Sequence, residues 1–458
     1  MYQKFFYQWE TSKILKFYTL IFIIFVEILY MNLLIRSANV IDKKSEFHNK
    51  TVDILIKNGI ISNIDTNIKN SKNYKELKFN NLSISPGWFD YSICTGEPGY
   101  EERDNVLNTL AVAAKSGYTS VGIQPNTNPI IDKRTEIEYL KSLASNSNID
   151  IFPIGALTKE SKGIELAEIL EMGESGAIGF GDFKKPIKNP NLLKLALLYS
   201  KEHKYPIFSF PFEKRINGDG VMNEGVTSTL TGLKGIPNIS EELNVRRDLA
   251  ILEYTGGYLH IPTISTAGSV DLIRNAKNKK LNVTCSTSIH NIFFNDSKIL
   301  NFDTNFKVIP PLRSENDIDS LIKGIKDGTI DMVTSDHTPL NIELKNLEFD
   351  NADFGSIGLE SSFGALNKIF STKLTVDILT RGKKIFNIEN QTIKIGELAN
   401  LTLFNSLNDY IFEEKNIHSI SKNSIFIGTK LKGLVYGTIS NGKISLMNTD
   451  LDYNIKTL

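Results

Sequence analysis

Two carboxylates and a histidine follow predicted strands at positions where they could carry acid–base chemistry. Asp336 lies beside His337 in the segment Ser335-Asp-His-Thr-Pro339, and Asp182 follows another apolar run. A positioned carboxylate can act as a general base when a reactant lies within hydrogen-bonding reach. Asp336 is equally compatible with a carboxylate that only hydrogen-bonds the end of its strand. Without imidazoles, Asp336 and Asp182 could hold a hard cation only weakly, with water completing its shell.

The six histidines can be considered one by one. His260, His290 and His337 lie near the last three predicted strands, so three inward imidazoles could form a new metal site. The alternative is that each imidazole is a polar side chain with partners of its own, which is the commoner situation. The other histidines fall on predicted loops or helix ends and need no function: His48, His203 and His418.

The elements that must position these residues alternate along the middle of the chain. The candidate strands are Ile84–Tyr91, Thr119–Gln124, Ile149–Ala156, Ala177–Phe180, Pro206–Phe210, Tyr258–Ile261, Val283–Ser286 and Ile330–Thr334. Candidate helices between them include Asp104–Ser116, Leu192–Lys201, Ser240–Glu253 and Glu315–Asp327. Eight strand–helix units favour an α/β fold with a closed (β/α)8 TIM-type barrel, whose chemistry lies at the C-terminal ends of its strands. An open doubly wound sheet is disfavoured because no Gly-x-Gly-x-x-Gly follows the first strand.

Both chain ends carry hairpin patterns. Asn58-Gly59 and Asn441-Gly442 are strong two-residue turn signals between short apolar runs. These patterns predict one small β-sandwich domain built from both ends. The expected division is an apolar extension over 1–30, sandwich parts over 31–85 and 395–458, and the barrel over 86–394.

Composition excludes some classes of function. The chain has 458 residues, 41% of them hydrophobic, and its 52 basic and 52 acidic side chains cancel. A net charge of zero gives no support for a nucleic acid as partner. Two cysteines, Cys94 and Cys285, do not make a disulfide framework, which makes the cytoplasm the default compartment.

The N-terminal segment allows two interpretations. Residues 17–35 are largely apolar and could anchor the chain in a membrane, since about 20 apolar residues span a bilayer. However, Glu27 and Asn32 interrupt the run, and Met31 begins a segment that resembles the first strand of the fold. A translation start at Met31 is therefore favoured over an anchor.

Several motifs, in order, resemble the dihydroorotase group of the amidohydrolase superfamily over nearly all of residues 31–458. They are Pro86-Gly-Trp-Phe-Asp90, Glu97-Pro-Gly-Tyr-Glu101, Gln124-Pro-Asn-Thr-Asn-Pro129, Pro310-Pro-Leu-Arg-Ser314, Asp327-Gly-Thr-Ile-Asp331, Ser335-Asp-His-Thr-Pro339 and Phe354-Gly-Ser-Ile-Gly-Leu-Glu360. The resemblance implies a zinc-bearing barrel with a flanking β-sandwich. It also implies the reversible closure of carbamoyl aspartate to dihydroorotate in pyrimidine biosynthesis.

The resemblance also assigns roles to positions. The four metal-binding histidines of the family correspond to Ser92, Cys94, Phe210 and Thr263. Three further family positions, a substrate-binding arginine, an asparagine and a loop histidine, correspond to Gly96, Ile309 and Leu340. The retained residues are Asp336 at the catalytic aspartate, Asp182 at the bridging ligand and Asn126 at a substrate-binding asparagine.

These substitutions predict a dihydroorotase-like protein that binds no zinc or other cofactor and does not catalyse the reaction. The expected role is in assembly, as a homodimer or as a partner of aspartate carbamoyltransferase or another enzyme of the pathway. The alternative is an active cyclic-amide hydrolase of the dihydroorotase, hydantoinase or allantoinase type, with a modified site around Asp336 and Asp182.

Overall fold

Residues 31–447 are described by a computed structural model of the chain. The predicted extension over 1–30, and with it the choice between an anchor and a late start, lies outside the described residues. Within 31–447, no helix combines the length and the apolar character that crossing a bilayer requires.

The strands and helices are numbered here in chain order. The strands are β1 Leu33–Val40, β2 Thr51–Lys57, β3 Ile60–Asp65, β4 Lys75–Leu77, β5 Ser83–Pro86, β6 Trp88–Ile93, β7 Tyr118–Ile123, β8 Asp150–Pro153, β9 Ile207–Phe208, β10 Met222–Asn223, β11 Gly235–Ile236, β12 Leu259–Ile261, β13 Val283–Ser288, β14 Met332–Thr334, β15 Leu401–Ile411, β16 Lys430–Ser440 and β17 Lys443–Leu446. The α-helices are α1 Val106–Lys115, α2 Arg134–Leu143, α3 Ile169–Glu174, α4 Pro190–Ser200, α5 Lys214–Asn217, α6 Val226–Thr231, α7 Asn238–Thr255, α8 Ala267–Asn278, α9 Ile289–Phe293, α10 Glu315–Asp327, α11 Ile342–Lys345, α12 Leu359–Ile369 and α13 Thr372–Arg381.

Strands from both chain ends form one hydrogen-bonded sheet. Its order is β17-β16-β15-β5-β1-β2-β3, and β4 pairs with β1. The hairpins β2–β3 and β16–β17 turn at Asn58-Gly59 and Asn441-Gly442, and all four of these residues have positive φ. Such turns match the right-handed twist of the strands, which is why the Asn-Gly pairs predicted them. Apolar side chains from both ends, among them Ile54 and Leu403, share one buried cluster.

The middle of the chain supplies parallel strands. β6, β7 and β8 pair in that order, and β9, β12, β13 and β14 form a second parallel group. Single parallel bridges at Gly155–Phe180 and Phe180–Ile207 link β8 to β9, and a bridge at Ile93–His337 links the segment after β14 to β6. Of the predicted strand Ala177–Phe180, Phe180 forms the β-bridges, and Ile178 and Gly179 add single backbone hydrogen bonds to the segment 153–155. These segments therefore bring their carboxyl ends to one edge, where the site residues lie.

Alternating side chains of the first parallel strand enter different layers. Trp88 packs between strands and helices in the large apolar cluster. Phe89 and Tyr91 enter a second cluster with Phe208 and Phe386 on the other face of the strands. This alternation follows from the two-residue period of a strand. The aromatic cluster forms a packed floor beneath the polar edge.

The predicted strand Ile84–Tyr91 is wrong in one respect, because it is two strands. β5 ends at Pro86 and belongs to the sheet of the chain ends, and β6 begins at Trp88 and pairs with β7. Gly87 separates them, and its N–H donates to the carbonyl of Asn400 over 3.0 Å. A Cβ at position 87 would overlap the side chains of Thr119 and Asn400. The chain can change sheets here because glycine lets two neighbouring segments approach closely.

We expect Gly87→Ala to destabilise the fold by roughly 2–4 kcal/mol, because the added methyl group has no space and the neighbouring segments must shift. The measurement is the urea-unfolding midpoint of the variant and the parent chain. Gly225→Ala is a matched control, since the nearest atom to its added Cβ is 3.7 Å away. Equal losses in both variants would contradict the packing explanation.

Candidate functional site

The centre of the polar edge is a buried ion pair. Asp336 follows β14 and has a φ of 48°. Its Oδ2 accepts a hydrogen bond of 2.8 Å from the Lys184 ammonium, and its Oδ1 accepts one of 3.3 Å from the Ser92 hydroxyl. Burial raises the pKa of Asp336, and the positive charge of Lys184 opposes this rise. A left-handed conformation is costly for aspartate, so packing and this pairing must hold it in place.

His337 does not form an acid–base pair with its neighbour. Its Nδ1 accepts hydrogen bonds from the N–H groups of Gly358 and Leu359, at 3.3 and 3.4 Å, where α12 begins. Burial lowers the pKa of His337. The imidazole is therefore neutral and directed at the start of a helix, and Asp336 takes its partners from Lys184 and Ser92 instead.

The Asp182 carboxylate accepts hydrogen bonds from a neighbouring loop. Its Oδ1 accepts from the backbone N–H groups of Leu157 and Thr158, each at 3.0 Å, and its Oδ2 accepts from the Thr158 hydroxyl at 2.6 Å. Burial raises its pKa, and these donors oppose the rise. The carboxylate therefore fixes the loop after β8. The two predicted site carboxylates, Asp182 and Asp336, have separate sets of partners.

Cys94 and Asn126 lie together near the end of β6. The Cys94 thiol is buried, and burial raises its pKa to about 12. A protonated thiol is a poor metal ligand and a poor nucleophile, because the thiolate is the reactive form. The thiol lies 4.0 Å from the Thr338 hydroxyl. The nearby Asn126 side chain opposes the rise in the thiol pKa, and its Oδ1 is buried with no hydrogen-bond partner within residues 31–447. A ligand that donates a hydrogen bond could satisfy this buried oxygen.

Phe210 and Thr263 are held by contacts of their own. Phe210 is buried against Ile236 and Ile309. Thr263 has a φ of 53°, and its backbone N–H donates to the Ser286 hydroxyl over 3.1 Å. A cavity of about 620 Å³ is lined in part by Asp182, Lys184 and Phe210.

The three central imidazoles do not converge. His260 is bonded through Nε2 to the Tyr91 hydroxyl at 2.9 Å and through Nδ1 to the Thr284 hydroxyl at 2.8 Å. Burial lowers its pKa to about 3. His290 is buried beside Phe426 and has no hydrogen-bond partner in the described part of the chain. Within residues 31–447, no group of three or more His, Cys, Asp or Glu side chains is arranged to hold a metal ion.

Two features of the site were not predicted from the sequence. Lys184 belongs to none of the family motifs. Its position two residues after Asp182 was the available signal that it lies at the same strand end. The hydroxyl chain that links Tyr91 to Ser286 over 2.6 Å joins residues 195 positions apart. Only the pairing of distant strands brings these groups together.

We expect Lys184→Met to lower the free energy of unfolding by roughly 3–5 kcal/mol, because it leaves the Asp336 carboxylate buried without a counter-charge. Adding Asp336→Asn to this variant should recover most of the loss. Urea unfolding of the two single variants and the double variant measures the coupling. As a control, Arg134→Gln breaks an exposed pair with Glu138, for which a loss below about 1 kcal/mol is expected. Additive losses at Lys184 and Asp336 would contradict the pairing.

A second expectation concerns Asp90, whose carboxylate accepts the N–H groups of Ser92 and Ser335 at 2.8 and 2.6 Å. Burial raises its pKa to about 6, above the ordinary value of about 3.9. The folded state therefore binds this proton more tightly than the unfolded state does. Its contribution to stability is present below about pH 4 and is lost as the pH rises through 6, a change of roughly 3 kcal/mol.

The difference in unfolding free energy between the parent chain and Asp90→Asn should consequently change between pH 4 and 7 and be level above pH 7. Urea titrations across this range measure it. A constant difference at every pH would show that Asp90 does not titrate in this way.

Most of the chain is similar in sequence to known proteins. The family model described as "Dihydro-orotase-like" matches residues 82–269. A dihydroorotase of Thermoanaerobacter sp. is 37% identical over 422 residues, which cover 90% of this chain and 97% of the relative. A dihydroorotase of Geobacter metallireducens is 35% identical over 421 residues, covering 90% of this chain and 99% of the relative.

Solved structures show the same fold at lower identity. The L-hydantoinase (dihydropyrimidinase) of Arthrobacter aurescens superposes with a TM-score of 0.79 at 19% identity, covering 92% of this chain and 98% of that chain. A D-hydantoinase of Thermus sp. superposes with a TM-score of 0.74 at 19% identity, covering 90% and 95%. The family predicted from the motifs is confirmed by the curated relatives: this chain belongs to the dihydroorotase family of cyclic amidohydrolases.

Proposed function

We propose that this chain is a non-catalytic member of the dihydroorotase family that serves pyrimidine biosynthesis through assembly. The observation that carries the proposal is the ion pair between Lys184 and Asp336, whose nitrogen and oxygen are 2.8 Å apart. The motif match assigns Asp336 to the position of the catalytic aspartate. A base that is already paired with a nearby ammonium is poorly available to a reactant.

The residues at the family's metal positions do not fit zinc. A catalytic zinc needs about three protein ligands, mostly imidazole or thiolate, and one open position. Ser92, Cys94, Phe210 and Thr263 offer two hydroxyls, one thiol and a phenyl ring, so only one of the four is an ordinary zinc ligand. The ammonium of Lys184 adds a positive charge at the carboxylate where a cation would otherwise be attracted. The proposed function therefore involves no metal.

The retained Asp182 supports the same proposal. Three hydrogen-bond donors from Leu157 and Thr158 occupy most of its roughly four lone pairs. A bridging ligand would need those lone pairs for a metal. Asn126 is proposed as a substrate-binding residue, and the support is that its Oδ1 is buried without a hydrogen-bond partner in residues 31–447.

The fold that we propose for this role is the predicted closed (β/α)8 TIM-type barrel over 86–394. The proposed flanking domain is a small β-sandwich over 31–85 and 395–458, and the support is that the strands described at both ends pair in one sheet. The single parallel bridge between Ile93 and His337 supports closure. A cytoplasmic location fits the two buried free thiols, Cys94 and Cys285.

The proposed partners are a second copy of the chain and aspartate carbamoyltransferase or another enzyme of the pathway; a nucleic acid is not proposed. Large apolar side chains are exposed on the packed helices α4 and α7, among them Leu198, Tyr199 and Tyr254. Exposed apolar groups on neighbouring helices are typical of surfaces that associate with protein.

A second candidate is an active cyclic-amide hydrolase of the dihydroorotase, hydantoinase or allantoinase type. The observation in its favour is that Asp336 and Asp182 are both retained and buried near a cavity of about 620 Å³. Burial raises the pKa of both carboxyls, which is a common property of acid–base residues. This hydrolase would act without the family's metal ligands.

We expect the purified full-length chain to contain no stoichiometric zinc and to hydrolyse dihydroorotate no faster than buffer does, because neither a metal site nor a free base is available. Metal analysis and a dihydroorotate assay measure this, with the Thermoanaerobacter dihydroorotase as positive control. Stoichiometric zinc with turnover would refute the proposal. Metal-free turnover on a cyclic amide that Asp336→Asn abolishes would establish the second candidate instead.

A further inference from the structure

A second cavity of about 280 Å³ lies outside the central one. Its walls come from the loop around Lys188, from the segment 212–215 after β9, and from α7. Phe212, Lys188 and Lys214 also line the central cavity, so the two spaces are neighbours across these residues. We call the smaller space the rim pocket. Neither its lining cations nor its position belongs to the catalytic motifs.

The rim pocket is strongly cationic. Lys188, Lys214 and Arg215 line it, and none of them has an ion-pair partner within residues 31–447. Arg247 also lines it and pairs with Asp248 at 2.7 Å. The carboxylate that lines it is Glu213, which accepts the backbone N–H of Arg215 over 3.1 Å. Clustered like charges repel, so this arrangement favours an anion in the pocket.

A buried donor points to the same kind of ligand. Asn244 lines the rim pocket and is 3% exposed. Its Nδ2 has no hydrogen-bond acceptor in the part of the chain that the structure describes. Asn244 and Arg247 are three residues apart on α7, so their side chains lie on one face of the helix. A buried N–H group normally has an acceptor, and an anionic oxygen would supply it.

Aromatic rings form the wall between the two cavities. The rings of Phe210 and Phe212 are stacked with centroids 5.9 Å apart and planes 22° apart. Phe212 lines both cavities and Phe210 lines the central one. A flat heterocycle in the central cavity could stack on this pair while a charged group attached to it reaches the rim pocket.

We propose that the rim pocket binds the phosphate group of a nucleoside phosphate, whose base lies against Phe212 in the central cavity. Lysine and arginine side chains bind phosphate through charge-assisted hydrogen bonds. The Asn244 amide completes the site with a neutral donor. This ligand site goes beyond the proposed assembly role and does not depend on whether the chain is catalytic.

The test is calorimetric titration of the full chain at low salt with uridine 5′-monophosphate, adenosine 5′-monophosphate, inorganic phosphate, uridine and succinate. Both nucleotides should bind, inorganic phosphate should bind more weakly, and uridine and succinate should bind least. The double variant Lys188→Gln/Lys214→Gln should weaken nucleotide binding at least about tenfold, as expected for lost charge-assisted contacts. The control variant Lys323→Gln/Lys326→Gln removes two exposed lysines of α10 and should bind like the parent chain.

Two further variants separate the parts of the site. Phe212→Leu should weaken the nucleotides and leave inorganic phosphate unchanged, and Asn244→Ala should weaken both. Each variant is first shown to unfold at the same urea concentration as the parent. Absence of nucleotide binding, equal binding of succinate, or an unchanged affinity in Lys188→Gln/Lys214→Gln would overturn the proposal. Zinc content and dihydroorotate turnover do not enter this result, so its failure is distinct from that of the assembly role.

Discussion

A carboxylate that is taken out of water requires a positive partner, and at the end of β14 that partner is an ammonium group. Asp336 is fully buried, and Lys184 reaches it from the loop after the Phe180 bridge. The same carboxylate in a metal-dependent enzyme would face a cation held by imidazoles. Here the lysine supplies one fixed positive charge and no Lewis acidity. This pairing stabilises the edge, and the proposed absence of metal-dependent chemistry rests on it.

The layers below the ion pair fit this arrangement. Tyr91, His260 and Ser286 form a hydrogen-bonded chain above an aromatic floor. Thr263 joins the chain through its backbone N–H, in a strained left-handed conformation. These residues satisfy one another, so the centre of the fold is closed to a new ligand at this depth. Open space remains above Phe210 and outward to the rim, where the lysines lie.

Local sequence signals predicted much of the fold. The helix Glu315–Asp327 was predicted with its observed bounds, because Ser314 caps its start and Gly328 ends it in the left-handed conformation. The helix predicted over Ser240–Glu253 runs from Asn238 to Thr255, where Gly256 ends it in the same way. The strand across Gly87 was predicted as one element, because the apolar run continues through the glycine. Its break depends on Thr119 and Asn400, which are far away in sequence.

The sequence alone determined the alternation of strands and helices along most of the middle of the chain, the Asn-Gly hairpins, the family, and the side chains predicted for the metal positions, since each depends on neighbouring residues or on motif spacing. The tertiary structure alone decided the partners. Lys184 and Asp336 are 152 positions apart, and Asp182 turns to the loop at Thr158 rather than to Asp336. It also decided that cations from three separate segments surround Asn244. Such contacts depend on how distant segments pack, and no local sequence pattern specifies which distant residues meet.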